Sequence, residues 1–356
     1  MKSTVCKCLL QFSIICCSVI NTQAQLGITK VRPANMGAPE TSLDLASEPS
    51  QADASANFQG SPIGALTVGS GINYNGGFVI NPVHVYFIWY GNWANNNAPS
   101  ILPDLIMALD QSPYLNIMTT YWGKTATGPS TSVIKNLTNR VSYGGQAFDF
   151  YSHGSHLDDT GAKDVVSTAL ATFGGGDPFG VYFVLTSADV RQTRGDQEFC
   201  IQYCGYHGHT FRNNINLIYS VVGNPDRCPS SCEAQQIGPN GNAGADGMAS
   251  VIAHEFTEAI TDPNGDAWFD FSGNELADKC SWIFGPTFIT PNGAQANVTL
   301  GTRNFLLQEL WVNTGAGFCD LAYFGSPTPP PSGGGGGGGG GGHTCSPTPK
   351  GHLPIC

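Results

Sequence analysis

The chain has 356 residues, with 15 Lys+Arg against 26 Asp+Glu, a net charge of −11, and charged residues make up only 12% of it. So little positive charge cannot neutralise a run of phosphates, which excludes nucleic acid and anionic membrane surfaces as partners. A hydrophobic content of 41% excludes wholesale disorder, and 46 glycines point to a loop-rich globular protein.

In chain order, residues 1–24 read as a secretory signal peptide. Lys2 and Lys7 give a basic start, Cys8 to Ile20 is mostly apolar, and Thr22-Gln23-Ala24 ends on small residues before the expected cleavage. The apolar run is short and broken by Gln11, Ser13 and Ser18, so it does not span a bilayer. No later segment is long and apolar enough to do so, and no membrane span is expected. Residues 25–62 are small and polar without apolar periodicity and read as a flexible leader.

The globular body is expected over 63–325. Val83 to Tyr90 is a continuous apolar and aromatic run, the pattern of a strand buried on both faces. Ile101 to Asp110 has helical spacing, and Ser112-Pro113 opens a second helix expected to run through Trp122. Ala162 to Phe173 reads as a helix ended by three glycines, and Val181–Leu185 and Ile215–Val222 read as strands. Asp246 is expected to cap a helix running to Thr261, stopped by Asp262-Pro263-Asn264-Gly265. The fold class is therefore α/β or α+β, a mixed sheet with packed helices, disulfide-bonded and with a zincin-like helix. A Pro/Gly linker follows over 326–342, including ten consecutive glycines, and then a tail over 343–356 that carries two cysteines.

Cleavage of the signal peptide leaves eight cysteines: Cys200, Cys204, Cys228, Cys232, Cys280, Cys319, Cys345 and Cys356. An even set in an oxidising compartment reads as disulfides, whereas in a cytosolic chain the two C-x-x-x-C elements would suggest zinc. Connectivity does not follow from sequence, but Cys345 and Cys356 stand alone beyond the linker and are expected to pair. Asn136 and Asn297 lie in N-x-[ST] sequons and are expected to carry glycans.

The helix after Asp246 holds the chemistry. Met248, Val251, Ile252, Phe256, Ala259 and Ile260 form a buried stripe, and His254, Glu255, Glu258 and Asp262 fall together on its flank. Ionisable groups at the edge of a buried face are costly unless paired or bound to metal. His254-Glu255-x-x-Glu258 matches the zincin helix motif with Glu in place of the second His. In that pattern His254 and Glu258 ligate the metal, zinc being the expected ion, and Glu255 is the general base on bound water. Glu275 could complete the ligand set and Asp278 could support a ligand by hydrogen bonding.

Three blander or different readings stand beside it. His254 could simply pair with Glu258 in a structural polar cluster, with Asp262 ending the helix. Asp262, Asn264, Asp266 and Asp270 alternate like calcium ligands, but the glycine and closing Glu of an EF-hand loop are missing. His207 and His209 are expected to shape a Gly-rich disulfide loop rather than bind metal. Separately, Tyr86 to Trp93 could be an aromatic platform for sugar rings, although a central strand packed on both sides accounts for it better.

Several motifs resemble the plant Exordium, or phosphate-induced protein, family. They are Val85-Tyr86-Phe87-Ile88-Trp89-Tyr90-Gly91, Val184-Leu185-Thr186-Ser187-Ala188-Asp189-Val190 and Phe199-Cys200 with Cys204-Gly205-x-His207-Gly208. Further along come Gly223-Asn224 with Cys228-Pro229-x-x-Cys232, the Pro239 to Met248 segment, and Arg303-Asn304-Phe305-Leu306-Leu307 with Cys319. The resemblance covers about 75–320 and implies a secreted cell-wall or apoplastic protein linked to cell expansion and growth, with no established catalytic activity. The zincin-like helix is read as a departure from the typical plant pattern, as are the polyglycine linker and the tail. Expected partners are cell-wall or extracellular matrix components, or a peptide substrate if the helix belongs to a metal-dependent hydrolase.

Overall fold

The computed structural model describes residues 28–30, 71–128 and 131–330. The signal peptide, the polyglycine run and the Cys345/Cys356 pair lie outside the described residues. Ten elements build the centre: β1 (Ile28–Lys30), β2 (Val83–Tyr90), α1 (Ala98–Leu109), β3 (Val141–Asp149), α2 (Asp159–Ala169), β4 (Gly180–Thr186), β5 (Tyr203–Arg212), β6 (Ile215–Gly223), α3 (Pro229–Cys232) and α4 (Ala243–Thr261). Six strands form one mixed sheet in the order β1-β5-β6-β4-β2-β3. The β6-β4, β4-β2 and β2-β3 pairs are parallel, and the β1-β5 and β5-β6 pairs are antiparallel.

The sheet is covered on both faces. Tyr219 of β6 donates to Asp159 of α2 at 2.5 Å, on one face. Gly205 and His207 of β5 turn to the other face, where Val251 and Glu255 of α4 meet them. Side chains two apart on a strand share a face, so this alternation fixes which residues of β5 meet which helix. Burial on both faces explains why β4 is buried along its whole length and why Phe87, Trp89 and Tyr90 are fully buried. The aromatic run is therefore core: Trp89 packs edge-on to Trp93, and Tyr86 stacks on Tyr182. The sugar platform expected as an alternative over Tyr86–Trp93 does not form, because the sheet consumes those rings.

Several expected elements shift. The leader is not uniformly outside the fold, since Ile28–Lys30 adds an edge strand to β5. The helix expected through Trp122 is a 3-10 turn over Leu115–Thr120, after which Trp122–Gly128 pairs as a hairpin with Thr131–Asn136. Consecutive Thr119 and Thr120 are poor helix formers, and cross-strand pairing prevails beyond them. The helix expected from Ala162 starts three residues earlier, where Asp158 accepts the Gly161 N–H as its N-cap.

α4 begins at Ala243, capped by Asn242, not at Asp246. Asp246 sits in its first turn, where its carboxylate accepts the Asn240 N–H at 2.9 Å. All residues of α4 except Ala243 and Gly247 are buried. The polar flank expected at the edge of an apolar stripe is instead enclosed, because residues beyond the helix fold back over it. The Asp278 N–H donates to Glu258 and the Gln308 side chain donates to Ser250 of the helix, while the Trp311 N–H donates to the Leu276 carbonyl.

Disulfides join Cys200 to Cys228, Cys204 to Cys232 and Cys280 to Cys319, with Cα separations of 5.8, 5.5 and 5.7 Å. All six cysteines of the body are thus paired among themselves. The first two bridges run side by side and clamp α3 onto the start of β5; the third holds the turn at Asp278–Cys280 against Phe318–Asp320. Among the described residues no helix is long and apolar enough to cross a membrane.

Candidate metal centre

The centre is assembled from β5, α4 and the turn after Glu275. On the α4 wheel His254, Glu258 and Glu255 stand at ~0°, ~40° and ~100°, so Glu258 lies angularly between the other two. His254 Nε2 is 3.2 Å from Glu258 Oε1 and 3.7 Å from Asp278 Oδ1. His207 Nδ1 is 3.4 Å from Glu255 Oε2 and 3.9 Å from Glu258 Oε2, and its Nε2 is 3.8 Å from Glu275 Oε1. The Asp278 main-chain N–H donates to Glu258 Oε1 at 3.0 Å, which fixes the turn to the helix. Room for the Glu255 side chain comes from Gly205: a Cβ there would stand 2.6 Å from Val251 and 3.2 Å from Glu255.

Both histidines and all three glutamates have 0% exposure. Both Glu275 oxygens, Glu258 Oε2 and both ring nitrogens of His254 are buried without a hydrogen-bond partner. Buried polar groups are normally satisfied, so such a concentration of orphans at one place calls for an explanation. Two sets of donors converge: His207, Glu255 and Glu258, and His254, Glu258 and Asp278, each with its donor atoms within 4.8 Å of one another. Among the described residues no thiolate is at hand, since their six cysteines are oxidised. Imidazole plus carboxylate suits zinc, manganese or ferrous iron.

The electrostatics point the same way. Burial alone would lower the pKa of His254, but Glu258, Asp278 and Glu255 outweigh it and hold the ring well above its ordinary value. Burial likewise opposes protonation of His207, and Glu255, Glu258 and Asp262 reverse that. Burial pushes Glu258 up to about 7 despite His254, with Asp278 adding to it. Glu275 is raised well above the carboxylate range by burial and then by Glu258, Asp262 and Asp278. Without a cation, the cluster must take up protons to exist.

Five of the residues expected from sequence, His254, Glu255, Glu258, Glu275 and Asp278, do meet here. Glu255 stands with His207 in a donor set rather than alone beside an open coordination position. Asp262 is drawn off: its Oδ1 accepts the Ala267 N–H at 2.6 Å, and burial pushes it up to about 6. What it contributes is its main-chain carbonyl, 3.3 Å from His207 Nε2. The alternating calcium series does not converge either, because Asp270 pairs with Lys279 at 3.1 Å and accepts the Ser272 and Asn274 N–H groups.

His207 is the residue that sequence reasoning misplaced in the disulfide loop. The signal was present in Gly205-x-His207, where a missing side chain and an imidazole two residues apart share one strand face. The pocket lined by Cys232, Gln235, Asp246, Ser250, Trp282 and Leu306 lies at the start of α4 and includes none of the cluster. Of the sequons, Asn297 donates to the Phe284 and Leu307 carbonyls at 2.7 and 2.6 Å, and Asn136 donates to the Thr328 carbonyl.

These features define a class: a disulfide-bonded α/β protein with a closed imidazole–carboxylate cluster between its sheet and its central helix. Residues 72–315 match the family described as phosphate-induced protein 1 conserved region. The chain belongs to that family. It is similar to Protein EXORDIUM-like 3 of Arabidopsis thaliana, 31% identical over 293 residues that cover 73% of this chain and 84% of that protein. To Protein EXORDIUM-like 5 of the same plant it is 29% identical over 276 residues, 67% of this chain and 75% of that one. Protein EXORDIUM itself is 27% identical over 244 residues, covering 60% of this chain and 73% of its own length. No solved structure matches the chain.

Proposed function

We propose that this is a secreted Exordium-type protein of the cell wall or extracellular matrix, associated with cell expansion and growth, whose body is locked by a divalent cation. The observation that carries the cation is Glu275, fully buried with neither carboxylate oxygen hydrogen-bonded, facing a histidine and further carboxylates. Secretion draws its support from the signal-peptide pattern of residues 1–24 and the three disulfides, which persist in oxidising compartments. The growth association rests on family membership.

The metal-dependent hydrolase reading is favoured by the His254-Glu255-x-x-Glu258 motif. A catalytic metal keeps an open position for water and substrate. The enclosure of every histidine and glutamate of the cluster fits a closed structural site better. The test is metal analysis of the secreted protein, purified without chelators, before and after chelation. Bound zinc or manganese whose removal lowers Tm supports the proposal. A metal-free protein with unchanged Tm overturns it, and hydrolysis of generic peptides lost in Glu255→Gln with metal retained would restore the enzyme.

A further inference from the structure

We infer that the centre binds two divalent cations bridged by the Glu258 carboxylate; the inference rests on the metal reading above and deepens it. The two donor sets share one residue. His254 Nε2 stands 3.2 Å from Glu258 Oε1, to which the Asp278 N–H also donates, and His207 Nδ1 stands 3.9 Å from Oε2; Asp278 and Glu255 complete the two sets. The helix geometry enforces this, since Glu258 lies between His254 and Glu255 on the wheel. One ion cannot take both sets through a single ligand atom, because the two oxygens of Glu258 are directed to different histidines. A carboxylate bridging two ions a few ångströms apart uses both.

The tautomer of His207 fits. A carbonyl only accepts, so the contact of Nε2 with the Asp262 carbonyl places the ring proton on Nε2. That leaves Nδ1 facing Glu255 and Glu258, where a divalent ion takes the place of the second ring proton. Ligating histidines are held by such an outer hydrogen bond as a rule. Charge balance gives the same count. Glu255, Glu258, Glu275 and Asp278 supply four negative charges against two neutral imidazoles, and two divalent ions cancel them where a single ion leaves a buried surplus. The unpartnered oxygens of Glu275 lie off the opposite, Nε2 edge of His207 and add another buried carboxylate to the cluster.

The decisive measurement is metal stoichiometry on the full secreted chain, stripped with EDTA and reloaded with Mn2+ alone. Two ions per chain are expected, with an exchange-coupled EPR spectrum in place of the isolated six-line pattern. His207→Gln and His254→Gln should each retain one ion, while Glu258→Gln should weaken both by about tenfold or more. One ion per chain in the wild type, uncoupled and lost from both histidine variants, overturns the dinuclear inference and leaves a mononuclear site. No bound ion in the wild type, with Zn2+ as well as Mn2+, overturns the metal reading itself. The wild-type count needs no variant to fold; for the variants, secretion and intact disulfides report folding.

Discussion

Glu275→Gln should change stability in opposite directions depending on the cation. In the chelated protein Glu275 is a buried acid with both oxygens unpartnered, pushed towards its protonated form by burial and by Glu258, Asp262 and Asp278. An unsatisfied buried group costs about 1–3 kcal/mol, more when charged. Glutamine keeps the size, needs no proton uptake to be neutral, and brings an amide that can donate to a neighbouring carboxylate. A gain of roughly 2–3 kcal/mol follows for the chelated chain. For a folded body of this size each kcal/mol moves Tm by about 2–4 °C, so the chelated variant should melt roughly 4–12 °C higher. With metal the same substitution removes a negative charge beside the ions. A hundredfold loss of affinity is about 2.7 kcal/mol of linked stability, so the loaded variant should melt lower than the loaded wild type. Calorimetry in EDTA and in excess Zn2+, disulfides intact, measures both arms. A Tm shift of the same sign and size in both would refute the reasoning, because Glu275 would then be an ordinary core residue indifferent to the cation.

Gly205→Ala should cost about 1–3 kcal/mol by overpacking against Val251 and should lower metal affinity by displacing Glu255, read by Tm and by metal titration. Removing the Cys280–Cys319 bridge by paired serines opens a 39-residue separation, worth on the order of 3–4 kcal/mol. It should also speed metal loss, because Asp278 sits one turn from the bridge; equal off-rates in variant and wild type would detach the bridge from the site. Burial raises Asp246 to about 6 despite its hydrogen bonds from Asn240, and burial with Asp226 raises Glu233 to about 7. Both acids hold protons in the folded state that the unfolded chain has released, so stability is fullest below about pH 4 for these groups and is lost as pH rises towards 7. Melting at saturating metal should therefore rise from pH 7.5 to 5.5, and Glu233→Gln should flatten that slope.

How much of this was legible in the sequence depended on whether a residue's neighbours were local. Val83–Tyr90 reads as a doubly buried strand because apolar and aromatic residues dominate it, and from Phe87 to Tyr90 that is how it folds, whereas His84 and Tyr86 are half-buried against Asp177. His254, Glu255 and Glu258 were legible because one helix repeat sets their spacing, and no tertiary contact can alter it. The paired cysteines of the body were legible as a set, though not as partners, since pairing depends on chain crossings far apart in sequence. His207 was hidden for the same reason: its chemistry depends on β5 lying against α4, a contact between residues 48 apart in the chain. The enclosure of α4 was hidden too, because its hydrophobic stripe says what is buried against the sheet and nothing of what folds back over its polar flank.

That last point alters the chemistry more than any boundary shift. An exposed His-Glu-x-x-Glu flank would leave an open position for water and substrate, whereas the enclosed one fits the closed site proposed above. Motif and spacing are identical in the two cases, and the difference lies in the turn after Glu275, whose Asp278 N–H is tied to Glu258. A cation in an open site contributes to a reaction; in a closed site it joins β5, α4 and the Cys280–Cys319 turn into one unit. Its removal should then loosen amide protons on all three elements together. Hydrogen exchange with and without chelator measures that directly, and loosening confined to the helix end at Thr261 would argue that the cluster binds nothing across the elements.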